Sequence, residues 1–315
     1  MVPERLHSKL TFSGHETFPL RHGWLKKSFD FISNGKADVT IHDTFNLEDS
    51  IVHLGVGRNM VSSIKFWSLA VGLILDPDLE RPNHVQLIWH KLLDDKGVDP
   101  YCENPSTMGL IHWRIATNPR LVTWYWFFNF FADKSFAKED LATRLEFFLQ
   151  QNSKKLPARK TLLNDITCLL NSYTASANTS TDTATDTMLS QLGLITADRS
   201  SNSYLKHRGA DASIGIGLFL LCIYEFLIQH WGPTGICDFS QMFSKPMSPA
   251  KVFLLNELQV EQLLYESAKL SGGAINLTSS AGEKTVIWNF KDAALTPASW
   301  FLADYEIAAN GGKNV

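Results

Sequence analysis

Ser13, His15, Glu16 and Arg21 fall within nine residues, and Lys26 and Lys27 follow one to two helical turns later. A histidine beside a carboxylate can activate a water or hold a divalent cation. An arginine can stabilise the charge that develops on a phosphorane. On that chemistry His15, Glu16 and Arg21 are the candidate catalytic residues for phosphodiester cleavage, and Glu16 is the candidate metal ligand. The same segment also reads as a structural capping loop. In that reading Ser13 or Thr17 caps the next helix, His15 satisfies a buried carbonyl, and Phe12 and Phe18 pack the loop down.

A second set of residues lies between His53 and Leu75. A short apolar-faced helix is expected before Gly55-Val56-Gly57, and a longer helix after it, the layout of a helix-turn-helix. At 100° per residue Met60, Ile64, Trp67 and Val71 share one stripe that must be buried. Arg58, Ser62 and Lys65 fall roughly opposite, with Asn59 alongside. Two cations, an amide and a hydroxyl on the solvent face of such a helix suit DNA phosphates and base edges. An ordinary amphipathic core helix with a solvated face shows the same pattern. Lys206-His207-Arg208-Gly209 is a further compact basic cluster. It reads either as a phosphate contact through Lys206 and Arg208 or as a solvated turn.

Much other chemistry is absent from the sequence. It has no H-E-x-x-H, no paired Cys-His set, no G-x-S-x-G and no Walker loop. Cys102, Cys168, Cys222 and Cys237 lie far apart, without C-x-x-C or disulfide-framework spacing, and read as inert free thiols in a reducing cytoplasm. The formal charge of −3 disfavours DNA binding by bulk charge but leaves room for a local basic face. The N-terminus lacks an apolar signal core. The longest apolar run, Ile214–Ile228, is interrupted by Glu225 and reads as a buried helix, so no membrane span is expected.

These residues need elements to position them. With 315 residues, 44% of them apolar, the chain can build a sizeable core. A loop through Pro19 is followed by a helix carrying Trp24, Leu25, Phe29 and Ile32 and closed by Asn34-Gly35. Asn46 with Asp49 is expected to cap the next helix. The helix starting at Arg58 is expected to run to Asp76-Pro77-Asp78. Residues 84–150 read as helical throughout, and the Trp124–Phe131 aromatic block runs all round its helix as packed core. Residues 150–160 form a polar, basic connector and a candidate boundary between a 1–150 helix-turn-helix-containing domain and a 160–305 α-rich domain. Within the second domain, residues 174–187 read as a mobile Thr/Ser-rich loop. Asn256 with Gln259 reads as a cap pair, with Ser248-Pro249 as a rival helix start. Gly272-Gly273 ends that helix, and strands are expected at Ala274–Thr278 and Thr285–Phe290. The expected fold is mainly α with small β hairpins: an N-terminal helix-turn-helix or winged-helix region, a helical middle and a C-terminal winged-helix-like unit.

The segments Phe12-Ser13-Gly14-His15-Glu16-Thr17-Phe18-Pro19-Leu20-Arg21-His22-Gly23-Trp24-Leu25-Lys26-Lys27 and Leu54-Gly55-Val56-Gly57-Arg58-Asn59-Met60-Val61 resemble the signature of a bacterial domain family. That family is encoded beside DNA phosphorothioation genes: the SspB-like components of the Ssp single-strand phosphorothioation systems. Asp99-Pro100-Tyr101, Leu110-Ile111-His112-Trp113 and Thr123 to Asn129 are similar to its middle region, with fainter echoes at Asp165–Tyr173 and Ala281-Gly282. The resemblance spans roughly residues 10–290. It implies a subunit that nicks DNA with Mg²⁺ or Mn²⁺, opening the backbone for sulfur insertion that marks self DNA in antiphage defence. It also implies a cysteine desulfurase, an ATP-using sulfurtransferase and an ATPase as partners. No catalytic residue is carried over from it.

Three functions follow. In the first, Arg58, Asn59, Ser62, Lys65, Lys26, Lys27, Lys206 and Arg208 hold DNA while His15, Glu16 and Arg21 cleave it. That reading requires distant carboxylates such as Asp43 or Asp165 to converge on the site. In the second, the chain is a non-catalytic DNA-binding adaptor that positions the modification machinery. In the third, it is a protein-interaction scaffold. A cytoplasmic protein that forms a homodimer is compatible with all three.

Overall fold

The structure is a computed structural model and describes residues 10–33, 45, 49–74, 83–152, 156–174, 187–198, 200–208 and 214–309. It is mostly helical, with two small antiparallel three-stranded sheets. The N-terminal part contains α1 (Trp24–Ser33), α2 (Asp49–Leu54), α3 (Arg58–Ala70) and α4 (Asn83–Leu93). The middle contains α5 (Pro105–Ala116), α6 (Val122–Asn129), β1 (Ser135–Phe136), α7 (Lys138–Asn152), α8 (Arg159–Tyr173), β2 (Ile195–Asp198) and β3 (Ser203–Lys206). The C-terminal part runs α9 (Ile216–Trp231), β4 (Thr234–Asp238), α10 (Gln241–Ser244), α11 (Pro249–Val252), α12 (Glu257–Leu270), β5 (Ile275–Ser280), β6 (Glu283–Asn289) and α13 (Pro297–Ala309).

Local chemistry accounts for the element boundaries. α5 starts where Asn104 accepts from the Ser106 N–H and Pro105 supplies a fixed φ. α12 opens with a complete capping box: Asn256 Oδ1 accepts from the Gln259 N–H at 2.9 Å, and Gln259 Oε1 accepts from the Asn256 N–H at 3.0 Å. The rival start at Ser248-Pro249 is also real, and it makes the separate short helix α11. α3 ends earlier than its sequence pattern suggests. Gly72 adopts φ +78°, and the Ile74 N–H folds back onto the Ser68 carbonyl at 3.0 Å, so the helix stops several residues before Asp76-Pro77. Asn34-Gly35, Asn46, Asp76-Pro77-Asp78 and nearly all of the expected 174–187 loop lie outside the described residues.

The core is one continuous hydrophobic cluster reaching from Leu20 to Phe301. Trp124, Tyr125, Trp126, Phe127 and Phe128 are buried within it. They stack edge-on and tilted against Trp67, Phe131, Phe136, Phe148 and Tyr173, as an all-round apolar helix requires. All four cysteines are buried and free, and burial raises their thiol pKa values, which keeps them unreactive. Among the described residues no helix is long and apolar enough to cross a membrane.

The expected C-terminal hairpin is present as β5 and β6, and β6 also pairs with β4, giving the order β4-β6-β5. The second sheet, β1-β3-β2, is not legible in the sequence. β3 contains Lys206, and the strand carries that residue into the interior, where it is 2% exposed. Its ammonium donates to the Phe127 carbonyl at 2.7 Å and the Phe131 carbonyl at 2.8 Å, and it lies 4.4 Å from the centre of the Phe127 ring. Lys206 thus cannot be the phosphate contact that its basic tripeptide suggests. Arg208 remains exposed.

Candidate nucleic-acid interface

The helix pair α2 and α3 is joined by Gly55-Val56-Gly57. Gly55 takes φ +64°, which an L side chain rarely adopts, and closes α2 by donating its N–H to the Ile51 carbonyl at 3.0 Å. Lys27, from α1, adds a second closure by donating to the Leu54 carbonyl at 3.0 Å. α3 then turns Val61, Ile64, Trp67 and Ser68 inward, with Met60 partly buried against the core. Arg58, Asn59 and Ser62 are exposed on the opposite side, and Lys65 is half-buried beside them. The N-cap, Gly57, brings no side chain to the amides of the first turn. That end of the helix combines open backbone donors, the positive end of the helix dipole and the Arg58 guanidinium, a combination that suits an anion.

The Phe12–Phe18 segment holds α3 in place. Ser63 Oγ donates to the His15 carbonyl at 3.1 Å, and Trp67 Nε1 donates to the Phe18 carbonyl at 3.0 Å. A Cβ on Gly14 would come 2.7 Å from the Phe66 ring, so the segment lies against α3 too closely for any side chain there. Ser13, Glu16 and Thr17 sit in the left-handed region at φ +57°, +48° and +65°. Three such residues in five persist only where surrounding bonds fix them. Asp165, buried on α8, supplies those bonds. Its Oδ1 accepts from the Ser13 N–H at 2.9 Å and from His15 Nε2 at 3.0 Å, and its Oδ2 accepts from Thr123 Oγ1 at 3.3 Å. His15 Nδ1 accepts from the Thr17 N–H at 3.0 Å, so the Nε2 nitrogen carries the proton given to Asp165.

The candidate catalytic residues therefore do not meet. His15 is fully buried among Phe66, Trp67 and Trp124, and both of its ring nitrogens are committed. Glu16 is exposed. Arg21 is half-buried, its guanidinium over the Phe18 and Trp24 rings at 5.3 and 5.5 Å. Asp165 does converge on His15, as a cleavage site would have required, but as the anchor of a sealed loop. Asp43 lies outside the described residues. Of the basic residues, Lys26 is buried and bonded to Asp30 and Asp95 at 2.6 Å each, so its charge is already compensated. Lys27 is exposed apart from its bond to α2. Among the described residues no three His, Cys, Asp or Glu side chains are placed to share a metal ion.

Asp165 is one of the distant carboxylates that the cleavage reading required, but its role as the structural anchor of His15 is not legible in the sequence. The two lie 150 positions apart, and neither helical nor strand periodicity links residues at that distance.

The fold has close counterparts of known structure. A crystal structure of SspB superposes with a TM-score of 0.79 at 22% identity, covering 99% of this chain and 92% of that one. A magnesium-bound crystal structure of SspB superposes with a TM-score of 0.78 at 21% identity, covering 98% and 90%. At these identities the likeness shows a shared fold. No curated protein matches the chain at the level of sequence. Residues 12–305 match the family described as DUF4007, protein of unknown function, and the chain belongs to that family.

Proposed function

We propose that this chain is a DNA-binding subunit of a phosphorothioation defence system of the Ssp kind, and that α3 is the element that meets DNA. One observation carries the reading. α3 presents Arg58, Asn59 and Ser62 outward, on a helix locked from behind by the Phe12–Phe18 segment. A recognition helix needs such a rigid support, because base and phosphate contacts tolerate little play. The whole-length likeness to SspB supports placing the chain in such a system. The family resemblance of the Phe12–Lys27 and Leu54–Val61 segments adds DNA, a cysteine desulfurase, an ATP-using sulfurtransferase and an ATPase as the proposed partners. In the same reading the C-terminal unit is a winged helix, supported by the order helix, strand, short helices, helix, hairpin and by the sheet order β4-β6-β5.

The magnesium in one SspB structure favours a second reading, nicking that depends on Mg²⁺ or Mn²⁺. His15, Glu16 and Arg21 do not fit such a centre. His15 gives its Nε2 proton to Asp165, Glu16 stands alone at the surface, and no third ligand stands beside them among the described residues. We therefore favour the adaptor form of the function and route no cleavage step through these residues.

The test is a gel shift run beside a supercoiled-plasmid assay, with Mg²⁺, Mn²⁺ or EDTA. The expected result is a shift that Arg58→Ala with Lys65→Ala abolishes. No shift for the wild type, or an unchanged shift for the variant, would overturn the α3 assignment. Cation-dependent open circles that disappear in Glu16→Ala would restore Glu16 as a ligand and make the chain a nickase.

A further inference from the structure

α12 follows a turn and precedes a hairpin, yet its solvent face has the opposite chemistry to that of α3. Val260, Leu264 and Ser267 point into the core. Leu258 and Tyr265 point out, 74% and 63% exposed. They are seven positions apart, on one stripe, with Glu261 and Gln262 between them at i+3 and i+4. Residues 257–284 carry four carboxylates (Glu257, Glu261, Glu266, Glu283) against two lysines (Lys269, Lys284). Both lysines are already engaged. Lys284 pairs with Glu261, and Lys269 pairs with Glu266 at 3.1 Å while covering the Tyr265 ring at 4.4 Å. α3, by contrast, has Arg58 and Lys65 and no acidic residue. A phosphate backbone meeting α12 would face net negative charge and two large apolar side chains, which opposes DNA binding there.

We propose that the α12 face docks a protein: an amphipathic helix of a partner, with apolar residues over Leu258 and Tyr265 and lysines or arginines toward Glu257, Glu261 and Glu266. Two anchors at i and i+7 match the spacing of a helix laid along a helix. With Glu261 and Glu266 paired to Lys284 and Lys269, residues 257–284 keep a net charge of −2, which favours a basic partner over an acidic one or nucleic acid. The inference stands on α12 alone and holds whether or not α3 meets DNA.

The experiment uses the intact chain and a fluorescein-labelled 18-residue Leu/Lys peptide of helical periodicity, followed by anisotropy, beside a peptide of the same composition in scrambled order. The expected result is saturable binding of the amphipathic peptide. Leu258→Glu with Tyr265→Glu should weaken it about tenfold or more, as removal of two central anchors does. Glu257→Lys with Glu261→Lys should weaken it severalfold at low salt. Leu258, Tyr265 and Glu257 are exposed, so the Leu258→Glu/Tyr265→Glu protein should melt with the wild type, whereas Glu261→Lys also breaks the pair with Lys284 and lowers the melt. Equal binding of the scrambled peptide, or undiminished binding to the Leu258/Tyr265 variant, would overturn the proposal. Weaker duplex DNA binding by that variant would make DNA the occupant instead. Wild-type self-association in sedimentation that the variant abolishes would make it a second copy of this chain.

Discussion

Replacing His15 tests whether the residue is a catalytic base or a structural pin. His15→Ala removes the Nε2–H bond to buried Asp165 and takes the acceptor from the Thr17 N–H. It also empties the space between Phe66, Trp67 and Trp124. An orphaned buried polar group costs about 1–3 kcal/mol, and removal of a core side chain adds a cavity cost of similar size. The sum is about 2–6 kcal/mol, a large part of the roughly 5–15 kcal/mol that holds a domain folded. For a chain of 315 residues, whose unfolding entropy is about 0.7 kcal/mol/K, this is a fall of roughly 3–9 °C in melting temperature. Glu16→Ala, on an exposed side chain, should stay within about 0.5 kcal/mol of the wild type. The assay is differential scanning calorimetry with a urea titration as a check. DNA binding should be measured well below the variant's melting point, where α3 is still in place. A His15→Ala protein that melts with the wild type but has no cation-dependent cleavage activity where the wild type has one would refute the reasoning, because it would put His15 at the reacting atoms.

Three further outcomes are expected. His112 is fully buried, with Nε2–H donating to the Val252 carbonyl at 2.8 Å and Nδ1 facing the Tyr173 hydroxyl at 2.7 Å, and burial pushes its pKa down to about 4. The unfolded chain binds the extra proton first, so stability falls as pH drops from about 6.5 to 4, by on the order of 3 kcal/mol, and the difference profile between wild type and His112→Gln should show that slope. Burial pushes the Glu225 carboxyl up, but Arg114 and His84 win and hold it at about 2; Arg114→Leu should cost about 3–5 kcal/mol in urea melts, and Arg114→Leu with Glu225→Leu should recover most of the loss. Burial lowers the Lys206 pKa to about 7, so between that pH and about 10.5 this side chain binds less proton in the folded chain than in the unfolded one, and its contribution to stability rises with pH. The difference profile between wild type and Lys206→Met should show this rise.

How much of this is legible in the sequence depends on the range of the signal. Local signals serve well: the Asn256–Gln259 capping box, the glycine turn before Arg58, and the split of α3 into a Trp67 side and an Arg58 side are all set by residues within two turns of each other. The all-round aromatic block likewise has to be core. Long-range pairings leave no trace in any periodicity. Lys206 reads as part of a basic surface cluster because its partners, the carbonyls ending α6, lie more than seventy residues away. β1 has only two residues and β2 and β3 four each, too short for an alternating pattern. His15-Glu16 reads as an acid–base pair only if neighbours in sequence share a direction. The tight turn at Ser13–Thr17 instead sends one inward and leaves the other in solvent.

The central claim, that α3 is the DNA-binding element, is tested most directly by the salt dependence of duplex affinity. Anisotropy titrations across a salt series would be run on the wild type, Arg58→Ala and the Leu258→Glu/Tyr265→Glu protein. The expected outcome is a log–log slope reduced by about one in Arg58→Ala, because one phosphate is no longer neutralised by the protein, and unchanged in the α12 variant. Identical slopes for the wild type and Arg58→Ala, or no binding by the wild type at low salt, would contradict it.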